Sequence, residues 1–147
     1  MTPDDLVELE AIKCLKYRYI RTLDQKRWDE LAECLTPDAT AAYGGGAYSF
    51  DSREEILQFL RDSLGPTMIT VHQVHQPELE LTSATTANGT WALEDRVIMV
   101  EHKLTLRGAA YYTDRYVKVD GDWKIAHTGY ERLFEEMEPR SDKIKLS

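Results

Sequence analysis

Tyr19, Asp24 and His72 are the residues of this chain whose types fit acid–base chemistry near neutral pH. A carboxylate against one imidazole nitrogen fixes the tautomer, leaves the other nitrogen free as a base, and stabilises the imidazolium that forms on proton uptake. A phenol beside them supplies a donor for an oxyanion that develops as a proton leaves carbon next to a carbonyl. Tyr19 and Asp24 end an apolar helical run, whereas His72 lies much later in a strand-like stretch. Their spacing does not bring them together, so the elements that carry them must.

A second acid stands in unusual company. Read with a period of two, the stretch Thr85 to Val100 puts Trp91, Leu93, Asp95, Val97 and Met99 on one face, with Glu94, Arg96 and Ile98 on the other. A carboxylate among such neighbours needs a partner or a task. An edge position, an arginine partner and a place in a pocket all stay open for Asp95. His72 shares its face with Thr70 and Val74, and a structural role for it also stays open. His75, three residues on, points to the opposite face, so a shared metal would require a bulge. With neither Cys-x-x-Cys nor His-x-His present, no metal is expected.

The elements follow from the pattern of apolar residues and breakers. Thr2-Pro3-Asp4-Asp5 is a helix start: an N-cap, a proline in the first turn and acids at the positive end of the dipole. Leu6, Leu9, Ile12, Leu15, Tyr19 and Leu23 then form one buried stripe, with Lys13, Lys16 and Arg18 off it. A second helix is expected from about Arg27 to Leu35, stopped by Thr36-Pro37-Asp38. Ala39 to Tyr43 and Ala47 to Phe50 flank Gly44-Gly45-Gly46 as a short hairpin. Phosphate-binding glycine loops lead into helices, and this one leads into a strand. A third helix opens with the capping pattern Ser52 to Glu55, buries Ile56, Leu57, Phe59, Leu60 and Leu64, and stops at Gly65-Pro66.

Everything after Pro66 reads as strand: Met68 to His75, Pro77 to Leu81, Thr85 to Val100, Leu104 to Val119, and Trp123 to about Phe134. Asp120-Gly121 is a hairpin turn, and Asn88-Gly89 is read as another, in preference to a glycosylation sequon. The expected fold is α+β: three N-terminal helices packed on a strongly curved, mainly antiparallel sheet, a cone enclosing a pocket, in a single domain over residues 1–147.

With hydrophobic residues at 42% and charged residues at 30%, the chain can bury a core and is not expected to be disordered. A net charge of −8 argues against binding a phosphate backbone, so no nucleic-acid partner is expected. No apolar run is long enough to span a membrane, and the acidic start is unlike a secretion signal, so the chain is read as cytoplasmic. Cys14 and Cys34, both in helical runs, are read as reduced core thiols.

Several segments together carry a family resemblance. Tyr19-Ile20-Arg21-Thr22-Leu23-Asp24, Trp28-Asp29-Glu30-Leu31, His72-Gln73-Val74-His75-Gln76-Pro77-Glu78, Trp91-Ala92-Leu93-Glu94-Asp95-Arg96, Tyr112-Thr113-Asp114, Asp120-Gly121-Asp122-Trp123 and Thr128-Gly129-Tyr130 resemble the SnoaL-like branch of the superfamily of ketosteroid isomerases and scytalone dehydratases, most of all its bile-acid 7α-dehydratases. The resemblance implies catalytic roles for Tyr19, Asp24 and His72. It implies pocket roles for Tyr43, Asp95 and Arg132, and the strand reading adds Trp91 to the substrate-binding set. The hexachlorocyclohexane dehydrochlorinases of the same superfamily have an Asp–His pair resembling Asp24 and His72, which ties the dyad to proton abstraction with loss of a β leaving group. The segment Val100 to Arg107 departs from the bile-acid enzymes, which leaves the substrate open.

The activity expected is cofactor-independent elimination of water from a steroid-like or polyketide-like carbonyl compound. An isomerase or cyclase using the same base, and a ligand-binding domain without catalysis, are the alternatives. Apolar groups on both faces of the long strands, such as Val117 and Val119, lead to an expected homo-oligomer. The relatives imply a homotrimer, with a homodimer as the alternative.

Overall fold

The structure, a computed structural model, describes residues 1–141 and 143–145. Its first helix begins as the sequence directs. Thr2 accepts a hydrogen bond from the Asp5 backbone at 3.2 Å, while the Asp5 carboxylate accepts one from the Thr2 backbone at 2.9 Å. Helix α1 then runs over Pro3–Asp24. Its outer turns leave Leu6 and Val7 exposed, and burial becomes complete from Ile12 through Leu15, Tyr19 and Leu23. Of the two cysteines only Cys34 is buried, and Cys14 is exposed, contrary to the reading of both as core thiols.

Helix α2 covers only Trp28–Glu33, and strand β1 starts at once, over Leu35–Tyr43. Thr36-Pro37-Asp38, expected as a helix stop, is therefore already strand. Proline is tolerated there because the parallel ladder from β1 to its long neighbour is interrupted between Leu35 and Thr40, so no bond needs its missing N–H. Strand β2, Tyr48–Phe50, returns antiparallel through the three glycines, and helix α3 occupies Arg53–Ser63 behind the Ser52 cap.

Four long strands follow: β3 Met68–Leu81, β4 Thr86–Met99, β5 Leu104–Val119 and β6 Asp122–Pro139. The sheet order is β2-β1-β6-β5-β4-β3, antiparallel except between β1 and β6. Helices followed by this curled but unclosed mixed sheet make the expected α+β cone. The two segments expected on either side of Gln76 are one strand, with a register shift between His75 and Glu78 at the place where Pro77 cannot donate.

Asn88-Gly89 is not a turn. Both residues lie inside β4, where Gly89 pairs with Leu79 on one side and Asp114 on the other. The glycine serves close packing: a Cβ there would lie 2.5 Å from a Leu79 methyl and 3.1 Å from the Tyr116 ring. Among the described residues no helix is long and apolar enough to cross a membrane.

Candidate active site

Strand β3 is an edge of the sheet, and an unpaired edge offers backbone donors. The last residue of α1 takes one of them. Asp24 accepts from the His72 backbone N–H at 2.8 Å through Oδ2. Its Oδ1 receives the Thr70 hydroxyl at 2.9 Å and meets His72 Nδ1 at 2.6 Å. Three contacts thus fix one carboxylate, and the arrangement makes Nδ1 the donor and Nε2 the ring's free nitrogen. Lys26, just past the helix at φ 57°, locks the same corner by donating to the carbonyls of Gly65 at 2.7 Å and Met68 at 2.6 Å.

His72 opens onto a cavity of about 230 Å³ between the helices and the inner sheet face. Larger hollows of about 420 and 510 Å³ lie elsewhere along the strands, and neither Tyr19 nor His72 lines them. The inner cavity is lined by apolar side chains from α1, α3, β3 and β4, among them Leu23, Phe59, Leu64, Met68 and Val97. Its phenols are Tyr19, Tyr43, Tyr112 and Tyr130. The hydroxyls of Tyr19 and Tyr43 lie 3.2 Å apart, with Tyr19 fully buried. Burial pushes Tyr43 up to about 12, and burial followed by the neighbouring phenols Tyr43 and Tyr112 holds Tyr19 well above the usual phenol range. Both therefore stay neutral O–H donors at neutral pH.

Asp95 lies on the inner face opposite His72 in the β3–β4 register. Arg132 holds it in a fork, Nη1 to Oδ1 at 2.7 Å and Nη2 to Oδ2 at 2.8 Å. The hydrogen bond to Asp95 raises the guanidinium's affinity for its proton despite partial burial. The structure therefore brings Tyr19, Tyr43, His72, Asp95 and Arg132 to one cavity, with Asp24 directly behind His72.

Trp91 does not join them. It shares the face of Asp95 but is 1% exposed in the core, with its indole N–H on the Tyr116 hydroxyl at 2.9 Å and its ring edge-on to Tyr17. The covered end of β4 lies under α1, and only its Asp95–Val97 end faces the cavity, a distinction that strand period cannot make. Sequence reasoning also missed Thr70, Tyr112 and Tyr130. Thr70 was legible as a neighbour of His72 on one strand face, but not as a donor to Asp24.

A further buried pair was missed entirely. Lys16, placed off the buried stripe from sequence, is 0% exposed and meets Asp114 of β5 at 2.8 Å. Its ammonium stands 3.5 Å from the centroid of the Tyr112 ring, and Asp114 accepts the Tyr116 hydroxyl at 2.7 Å. Among the described residues no group of three or more His, Cys, Asp or Glu gathers in a way that could hold a metal ion.

The SnoaL-like domain family matches residues 4–129. A scytalone dehydratase-like protein of Novosphingobium aromaticivorans superposes with a TM-score of 0.84 over 100% of both chains at 21% identity. A hexachlorocyclohexane dehydrochlorinase superposes with a TM-score of 0.82 at 25% identity, covering 98% of this chain and 95% of its own. An uncharacterized protein of Mycobacterium tuberculosis is 26% identical over 129 residues, 86% of each chain.

Proposed function

We propose, for a chain that belongs to the SnoaL-like domain family, that it is a lyase removing water from a steroid-like or polyketide-like carbonyl compound without a cofactor. The observation that carries this reading is the Asp24–His72 contact of 2.6 Å at the wall of a cavity whose Tyr19 and Tyr43 hydroxyls stand 3.2 Å apart. Neighbours of the same fold described as dehydratase-like and as a dehydrochlorinase support it, since both names denote loss of a group β to a removed proton.

Each step falls to a side chain of this chain. Asp24 holds Nδ1–H, so Nε2 of the neutral imidazole takes the proton from carbon next to the substrate carbonyl. The electron pair moves onto the carbonyl oxygen, and the Tyr19–Tyr43 pair donates to the resulting enolate. The pair collapses back to expel the β-hydroxyl, which leaves as water with the proton returned from His72. Asp24 stabilises the imidazolium in between. Leu23, Phe59, Leu64, Met68 and Val97 keep the reacting carbons in an apolar surround.

The experiment is to incubate the protein with β-hydroxy ketones of both skeletons and follow the conjugated enone by its absorbance, with His72→Ala as control. Enone formation lost in His72→Ala supports the reading. Double-bond migration without loss of water would make the protein an isomerase with the same base. Binding without any conversion would make it a binding domain.

A further inference from the structure

Arg132 is the only arginine or lysine lining the cavity among the described residues, and it is already spoken for. Besides the fork to Asp95, its Nε meets Glu135 at 3.2 Å. Two carboxylates thus face one guanidinium. The Asp95 side chain is 3% exposed and that of Arg132 19%, so solvent screens the Asp95–Arg132 pair little.

The sheet beneath is shaped to hold the guanidinium there. Gly108 pairs with Asp95 on one side and Glu135 on the other. A Cβ at Gly108 would sit 2.4 Å from Arg132 Nη1 and 2.9 Å from the Phe134 carbonyl. Glycine therefore lets Arg132 lie against the backbone of β5 and span three strands. Asp24 and His72 add no uncompensated cation. Asp24, Asp95 and Glu135 thus outnumber the two cations of the same surround, Arg132 and Lys26. The cavity's 230 Å³ also lies below the roughly 300–1,000 Å³ of clefts for drug-sized ligands.

We infer that the site takes an uncharged, monocyclic or bicyclic carbonyl compound, and that Arg132 and Asp95, backed by Glu135, form an end wall that rejects anionic ligands. This rests on the proposed function in placing the ligand's carbonyl at Tyr19 and Tyr43, and it favours the compact polyketide-like skeleton over the tetracyclic one. A carboxylate brought to this wall meets net like charge in a poorly solvated place, which is a device of specificity.

Calorimetric titration of the full chain tests it with three probes: β-tetralone, neutral and bicyclic; β-naphthoate, its anionic counterpart; and androstenedione, neutral and tetracyclic. β-Tetralone is expected to bind about tenfold tighter or more than either of the others, a tenfold step being about 1.4 kcal/mol. Glu135→Gln and Asp95→Asn each remove one carboxylate from the guanidinium, and each is expected to raise the naphthoate-to-tetralone affinity ratio about tenfold. Glu135 is half-exposed, so its variant keeps the test open if Asp95→Asn does not fold. Equal binding of naphthoate and tetralone, or an unchanged ratio in the folded variants, overturns the charge argument. Androstenedione binding as tightly as tetralone overturns the size argument, and no binding of tetralone overturns both. The two readings part cleanly: this affinity order without any elimination activity sinks the dehydratase and keeps the wall, while elimination from an anionic substrate does the reverse.

Discussion

Helix α1 delivers two charged side chains to the sheet, and their surroundings make them different things. Lys16 meets Asp114 where both side chains are 0% exposed, with tyrosine rings over the ammonium and Tyr116 on the acid. Two turns on, Asp24 meets His72 where the side chains are 22% and 13% exposed, and one imidazole nitrogen is left facing a cavity. The first pair is closed: no ligand reaches it, and burial lowers the proton affinity of Lys16 against the pull of Asp114. The second is open, since every group is held but one nitrogen has no assignment. Ion pairing alone therefore marks neither stability nor catalysis. What separates the two is whether a reactive atom is left over at a surface that a ligand can touch.

Breaking each pair should give opposite signatures. His72→Ala is expected to lower turnover by about 10²–10⁴-fold, the usual contribution of a general base, with little change in melting temperature. A steady-state assay beside a thermal melt checks this, and full activity in a folded His72→Ala protein would remove the base assignment. Lys16→Met should do the reverse. It leaves Asp114 buried and unpaired, a loss of about 3–5 kcal/mol in denaturant unfolding, whereas Lys16→Met combined with Asp114→Leu should recover most of it. If the single change is as stable as the parent, the closed pair holds nothing together.

Tyr19→Phe lies between these regions, because its ring packs near Lys16 while its hydroxyl serves the cavity. It is expected to lower the rate by about 10²–10³-fold, the loss of one oxyanion donor, and less than His72→Ala does. Comparison of kcat and KM for the two variants gives the ranking, and a larger loss for Tyr19→Phe would shift the acid–base assignment toward the phenol.

The smallest expected effect is on pH. Burial raises Tyr43 from 10.0 to about 12 in the folded chain, and holds Tyr19 and Tyr112 well above the usual phenol range. Between the unfolded and folded values the unfolded chain has lost the proton and the folded chain keeps it. Stability is thus whole below pH 10 and falls as pH rises toward 12. Urea unfolding along that range should show the decline, with tyrosinate absorbance of the buried phenols appearing only as the chain unfolds. Reversible ionisation of all phenols in a still-folded chain would contradict it.

Much of this molecule is legible in short range. The Thr2 and Ser52 caps, the stripe of α1 from Ile12 to Leu23, the alternation along β4 and β5 and the Asp120-Gly121 turn are set by neighbours within a few residues, where capping, periodicity and turn chemistry act. So is the placing of Tyr19 and Asp24 near the end of one helix. What only the tertiary structure decided are the partners and the coverage. Lys16 reads as a surface lysine until Asp114 of β5 is placed against it. Trp91 and Asp95 read as one pocket face until α1 covers the first and leaves the second open to Arg132. Asn88-Gly89 reads as a turn until Leu79 and Tyr116 crowd it from either side. In each case the deciding neighbour comes from a distant part of the chain or another strand. A residue's period fixes the face it occupies, but only packing fixes what lies over that face.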